Sequence, residues 1–252
     1  MNILTLYGKN IVVTGASSGI GRQCAITLSQ FGANIILIAR DEKRLEEVRT
    51  QLVDGNHLVF PADITDYSQL EDIVSRSAAG IGKIAGFIHS AGIDMTIPLK
   101  GMRPSHYEKV FATNVIAGFE LARLISSKLF LADNGASFIF ISSVMGEVGQ
   151  PGKIGYSSSK GALIAGARSM ALELAPKKIR VNSVLPGLVL TEMASKLLES
   201  IPTESRKALI DMHPLGLGSP EDVSNLCLFL LSDQSKWITG ASIVVDGGYM
   251  VR

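Results

Sequence analysis

The sequence predicts a single α/β domain over 1–252, a doubly wound parallel sheet of about seven strands with helices on both faces. Three observations carry this. Strand-length apolar runs recur along the whole chain and are continuous rather than alternating, which marks strands covered on both faces. Helix-length segments such as 41–53 and 104–131 separate them, so parallel strands are joined by right-handed crossovers. The first run also passes through a glycine-rich turn straight into a helix. No low-complexity linker or repeat divides the chain, and 252 residues suffice to bury a large core.

In chain order, the strands are read from NIVVTG at 10–15, NIILIAR at 34–40, HLVFPAD at 57–63 and AGFIHSAG at 85–92. SFIFISS at 137–143, IRVNSVLPG at 179–187 and SIVVDGG at 242–248 follow. Between the last two, 191–220 breaks the alternation with short helical pieces, prolines and a glycine-rich end. In such sheets ligands bind beyond the carboxyl ends of the strands, so this segment is expected to cover a substrate. Its alternative is a plain surface excursion.

Composition narrows the partners. A net charge of +1, from 24 basic and 23 acidic residues, gives no footprint for nucleic acid or an anionic membrane. Cys24 and Cys227 each lie in an apolar helix-like stretch, which suits reduced core thiols in a cytoplasmic protein. The start, MNILTLYGKNIVVTG, lacks the pattern of a targeting segment, and no apolar run approaches bilayer length. His57, His89, His106 and His213 have no metal-ligand spacing, so no metal is expected. Glu46 and Glu47, among Lys43, Arg44 and Arg49, read as a solvated helix face. A hydrophobic content of 46% suggests an interface between copies.

Two constellations carry chemistry. In VVTGASSGIGRQ, Gly15, Gly19 and Gly21 lie where a strand becomes a helix. Glycine there permits positive φ and close backbone approach, and the helix N-terminus offers unpaired N–H groups to a pyrophosphate. At the end of the second strand stand Ala39 and Arg40, where an acidic side chain would accept from a ribose 2′-hydroxyl. A small neutral residue followed by arginine favours the 2′-phosphate of NADP(H) over NAD(H), which stays possible because Asp41 is adjacent. Further on, Tyr156 and Lys160 are four apart in GYSSSKGAL, one turn apart on one helix face. They are either a surface pair or a proton donor whose pKa a neighbouring ammonium lowers.

With Gly15-x-x-x-Gly19-x-Gly21 and Tyr156-x-x-x-Lys160 in order, the chain resembles the short-chain dehydrogenase/reductase family over nearly all its length. HSAG at 89–92, Asn114, ISSVMG, RVNSVLPG and VVDGG add to it, and the general look is nearest to its 3-oxoacyl-(acyl-carrier-protein) reductase members. His89 stands where that family often has asparagine. The resemblance implies a Rossmann fold and hydride transfer between a nicotinamide and a ketone or secondary alcohol. Tyr156 would be the acid/base, Lys160 and the oxidised ring its positive neighbours, and Ser143 the group holding the carbonyl oxygen, with Ser142 second. Asn114 would hold a water linking Lys160 to solvent.

It further implies cofactor contacts from Ser17, Ser18 and Ile20, from Asp63 and Ile64, and from Ser90, Ala91 and Gly92. Pro186, Gly187, Val189 and Thr191 complete them; Asp63 could instead cap its loop and Thr191 the next helix. Met145, Gln150 and Met193 would meet the substrate, while Met145, Met193 and Met212 serve equally as core filler. Asn134 and Leu172 stand where members serving acidic carrier proteins carry basic groups, although Lys128, Lys153 and Arg168 could compensate. The substrate is therefore expected to be an acyl thioester or another carbonyl on a steroid, sugar, polyol or small metabolite. The family's habit is a homotetramer packed through 104–131 and 153–175. A cofactor-sensing protein without turnover is the other class.

Overall fold

The computed structural model describes residues 4–251; residues 1–3, the start of the stretch read for targeting, and residue 252 lie outside the described residues. Seven strands form one parallel sheet: β1 (Asn10–Thr14), β2 (Asn34–Ala39), β3 (Leu58–Pro61), β4 (Ile84–His89), β5 (Ala136–Ile141), β6 (Ile179–Pro186) and β7 (Ser242–Val245). Their order is β3-β2-β1-β4-β5-β6-β7, so the sheet grows one way from β1 to β3 and the other way from β4 to β7. Between β1 and β4 the crossovers change direction, which leaves a crevice at the carboxyl ends of these two strands.

Continuous burial along β1 and β5 follows from helices on both faces. On one face Val12, Phe87, Phe138 and Phe140 pack with α3 (Leu70–Ile81), α5 (Ala117–Ile125) and α6 (Ile154–Leu174). Edge-on contacts of Phe87 with Phe138 and Phe140, at 5.8 and 6.0 Å, fill this layer in a preferred aromatic geometry. On the other, Ile11, Val13, Ile139 and Val184 pack with α1 (Gly19–Gln30), α2 (Glu42–Arg49) and α9 (Pro220–Leu231). Cys24 on α1 and Cys227 on α9 meet there as free buried thiols, and their contact and burial push the Cys227 thiol well up.

The helix expected over 104–131 is interrupted. It runs as α4 (Pro104–Phe111), widens into a π-helical turn at Ala112–Ile116, resumes as α5 and ends at Ile125. Its last turn gives way because the Ser126 hydroxyl bonds back to the Arg123 carbonyl and Ser127 takes up the Leu129 N–H, after which Leu131 bridges to Ile84. The segment 191–220 folds into α7 (Glu192–Ser200) and α8 (Thr203–Asp211), followed by a loop that returns to α9. Arg44 of α2 forms an ion pair with Glu192, tying the first turn of α7 to the body.

Gly15 marks the crevice. Its φ is +66°, and a Cβ there would lie 2.8 Å from both the Ala91 Cα and N, so a side chain meets strain and a backbone clash together. Gly15→Ala is expected to lower the unfolding free energy by about 2 kcal/mol or more, read from urea melts; an unchanged midpoint would show that the β1–β4 approach is slack.

Candidate active site

A cavity of about 270 Å³ opens at this crevice. Gly15, Ser18, Gly19, Ile20, Ser90, Ala91, Gly92, Pro186, Gly187, Val189 and Thr191 line it, as do Ser143, Met145, Gln150, Tyr156, Lys160 and Met193. The structure thus brings together most of the residues singled out from sequence. Ser17, Arg40, Asp63 and Ile64 do not line it. Arg40 is exposed and stands just past β2, whereas Ile64 is buried in the core beyond β3. Asp63 accepts from the Thr65 N–H and hydroxyl at 2.9 and 2.7 Å, so it caps its loop, and those bonds hold its carboxyl below the usual range. Thr191 both lines the cavity and caps α7, its hydroxyl accepting from the Ala194 N–H at 3.3 Å.

The glycine turn fits a dinucleotide phosphate. Gly19 has φ +52°, and a Cβ on Gly21 would come 2.4 Å from the Gly15 carbonyl oxygen, so these positions exclude larger residues. Ser18 precedes α1 with no side-chain cap, which leaves the first N–H groups of the helix open to an anion.

Across the cavity, Tyr156 and Lys160 lie one turn apart near the start of α6, with the ammonium 5.7 Å from the centre of the phenol ring. Lys160 is buried and donates to the Ile141 carbonyl at 2.8 Å, pinned to the end of β5. The two serines that end that strand separate cleanly. Ser142 donates to the Lys160 carbonyl at 2.7 Å and so serves α6. Ser143 accepts from the Met145 N–H at 3.1 Å and faces the same cavity as Tyr156.

Asn114 lies in the π-helical turn, fully buried behind Gly92. Its Oδ1 accepts from the Ile93 N–H at 2.8 Å, and its Nδ2 donates to the Ile93 carbonyl and the Ser159 hydroxyl, each at 3.0 Å. The amide thus ties the loop after β4 to α6. Its backbone carbonyl is taken too, by the His89 ring at 3.1 Å.

A family model described as enoyl-(acyl carrier protein) reductase matches residues 15–250. The chain belongs to the short-chain dehydrogenase/reductase family. It is 32% identical to the 3-oxoacyl-[acyl-carrier-protein] reductase FabG of Thermotoga maritima, over 98% of this chain and 100% of that protein. Against the FabG of Escherichia coli K12 the identity is also 32%, with the same coverage. A short-chain type dehydrogenase/reductase from Mycobacterium marinum superposes with a TM-score of 0.89 at 30% identity, covering 100% of this chain and 98% of that one. A 7α-hydroxysteroid dehydrogenase complexed with NADH and 7-oxo glycochenodeoxycholic acid superposes with a TM-score of 0.92 at 28% identity, covering 98% and 96%. The protein is therefore an NAD(P)(H)-dependent oxidoreductase of CH–OH and C=O groups.

Electrostatics in this short-chain dehydrogenase/reductase site run against the sequence expectation. Burial pushes the Tyr156 phenol up to about 12, the Asp94 charge adding to the rise and the Ser143 hydrogen bond opposing it. Burial likewise brings the Lys160 ammonium down to about 8, with Asp94 offsetting part of the change. Four-residue spacing gave the neighbour but not the desolvation, which is the largest cause of each shift. Asp94, Lys153 and His213 also line the cavity. Sequence reading assigns Lys153 and His213 other roles, a compensating surface base and a histidine without metal spacing, and passes over Asp94, whose partner Lys153 lies 59 positions away. Among the described residues, no group of three or more His, Cys, Asp or Glu could hold a metal ion.

His89, the residue at odds with the family pattern, is the hub behind the site. The Thr14 hydroxyl accepts from the Ser90 and Ala91 N–H groups, both at 3.2 Å, and so donates its proton to His89 Nδ1 at 3.0 Å. That fixes the neutral ring with its proton on Nε2, donated to Asn114. Burial, with the Lys160 charge second, lowers its pKa to about 3. The unfolded ring titrates near 6.5, so the unfolded chain binds more protons between these values and stability falls as pH drops through them. From pH 7.5 to 5, His89 is expected to remove about 2 kcal/mol of stability that His89→Asn does not lose. Urea unfolding of both proteins at the two pH values measures this, and equal losses would exclude it.

Proposed function

We propose that this protein interconverts a ketone and a secondary alcohol with NADP(H), Tyr156 acting as the acid/base. The observation that carries the reading is the meeting, in one cavity, of Ser143, Tyr156, the buried Lys160 and the glycine cradle at the α1 N-terminus. The nicotinamide, when bound, supplies or accepts the hydride, and its oxidised form carries a positive charge that favours the phenolate.

The chain's own residues do the rest. Open N–H groups at Gly19 and beyond hold the pyrophosphate, and Thr191, 3.2 Å from where a Gly19 Cβ would stand, closes over it. Arg40, exposed past β2, offers its guanidinium to a 2′-phosphate. Ser143 and Tyr156 both donate to the substrate oxygen, and a phenol held protonated is ready to give up its proton as negative charge develops there. Lys160 would stabilise the phenolate left behind, and Asn114 fixes the loop after β4 that borders the cavity.

FabG relatives make a 3-oxoacyl thioester the first substrate to test. A free thioester or another carbonyl fits the surface better than a carrier protein: Leu172 is 81% exposed where the basic group would stand, and Lys153, expected to compensate, is buried. Exposed Leu172 on α6 and Ile116 beside α5 suit packing between copies, as a homotetramer requires; a monomer by light scattering would exclude it.

The test is NADPH and NADH oxidation across a panel of ketones. Tyr156→Phe is expected to lower kcat by about a thousandfold while cofactor binding persists, and Arg40→Ala to cut kcat/KM for NADPH by about tenfold or more. Retained turnover in the tyrosine variant, or a wild-type preference for NADH, would overturn the corresponding part. NADPH binding with no turnover on any carbonyl would favour the cofactor-sensing alternative.

A further inference from the structure

The substrate end of the cavity holds an ion pair that the proposed chemistry does not use. Lys153, three residues before Tyr156, is buried, and its Nζ donates to Asp94 Oδ2 at 2.5 Å. Both residues line the cavity, with side chains 5% and 22% exposed. The Lys153 Nζ lies 5.7 Å from the centre of the Tyr156 ring, the same distance as Lys160. The pair is short of hydrogen bonds. Asp94 Oδ1 is closed from solvent and has no partner, and an ammonium has three protons to donate.

Such a pair does little for stability. Taking two charges out of water is repaid only where further hydrogen bonds complete them, and an apolar replacement is often neutral or stabilising. The rest of this wall shows that apolar residues suit it, since Met145, Met193, Leu197 and Leu209 supply it. A polar corner in an apolar wall, next to the reacting oxygen, is an arrangement for selecting a substrate.

We infer that the Asp94–Lys153 pair binds a hydroxyl of the substrate, so that the preferred substrate is a hydroxy ketone with its hydroxyl one or two carbons from the carbonyl. This rests on the ketone–alcohol reading above and deepens it. A hydroxyl donates and accepts at once, which matches a carboxylate and an ammonium held side by side. A substrate carboxylate would meet Asp94 and a substrate ammonium would meet Lys153, so the neutral pair favours a neutral group. The acyl chain of a simple 3-oxoacyl thioester brings no such hydroxyl and leaves the pair uncompleted.

The experiment compares two ketones that differ by one isosteric group, 2-hydroxycyclohexanone and 2-methylcyclohexanone, as substrates with NADPH. Wild type is expected to favour the hydroxyl compound in kcat/KM by about tenfold or more. In Asp94→Ala/Lys153→Met, which removes both charges and strands neither, that ratio is expected to fall toward one. A wild-type ratio near one, or a ratio preserved in the double variant, would overturn the inference. Calorimetric binding of cyclohexane-1,2-diol and 2-methylcyclohexanol to the NADP⁺ complex supplies a readout that needs no turnover. A diol preference without turnover of any ketone would sustain hydroxyl binding by the pair while sinking the ketone–alcohol reading and, with it, the hydroxy ketone as substrate. Equal binding of the two alcohols, or none, would overturn this one whatever the turnover.

Discussion

The hydroxyl of Thr14 holds the site together. Sitting at the last residue of β1, it takes two backbone N–H groups from the loop after β4 and gives its proton to His89. That draws the loop so close to Gly15 that no side chain fits between them. The crevice in which a dinucleotide is expected to lie thus has a width set by hydrogen bonds rather than by side-chain bulk. From His89 the chain of bonds continues to Asn114, and from the Asn114 amide to Ile93 and Ser159 on α6, the helix that carries Tyr156 and Lys160. Strand end, loop, π-helical turn and catalytic helix are therefore positioned from one point, through polar groups that are buried and consequently costly to leave unpaired.

The π-helical turn gains a meaning from this. In the wider turn the Asn114 carbonyl meets the His89 ring. Room for the imidazole comes from Gly118, one turn on, where a Cβ would come 2.6 Å from the ring. An asparagine in place of His89 would span a shorter distance, so the histidine, the glycine and the widened turn form one local solution.

How legible was this in the chain? The strands were, because a sheet covered on both faces needs uninterrupted apolar runs, and such runs stand out between helical segments. The glycine turn and the Tyr156 and Lys160 pair were legible because each is local, with its geometry contained in a few consecutive residues. The break in the 104–131 helix was not, since it depends on His89, which lies on a different strand. For the same reason the partners of the Asn114 amide were not legible, since Ile93 and Ser159 lie far from it along the chain, whereas the loop cap by Asp63, a local contact, was. Lys153 was read as a surface cation, and only packing against Asp94, 59 positions away, turns it inward. Depth is what a single sequence hides, and depth decides the direction in which Tyr156 and Lys160 titrate.

The Arg44 and Glu192 pair has a bearing on how firmly the segment beside the cleft is held. It joins α2 to the first turn of α7, with both side chains more than a third exposed. An exposed ion pair contributes only about 0–1 kcal/mol and weakens as salt screens it. The start of α7 is thus held to α2 by a tie that salt loosens. Ionic strength therefore loosens the attachment of α7 to the body while the buried bonds of Lys160 and Asn114 behind the cavity remain as they are.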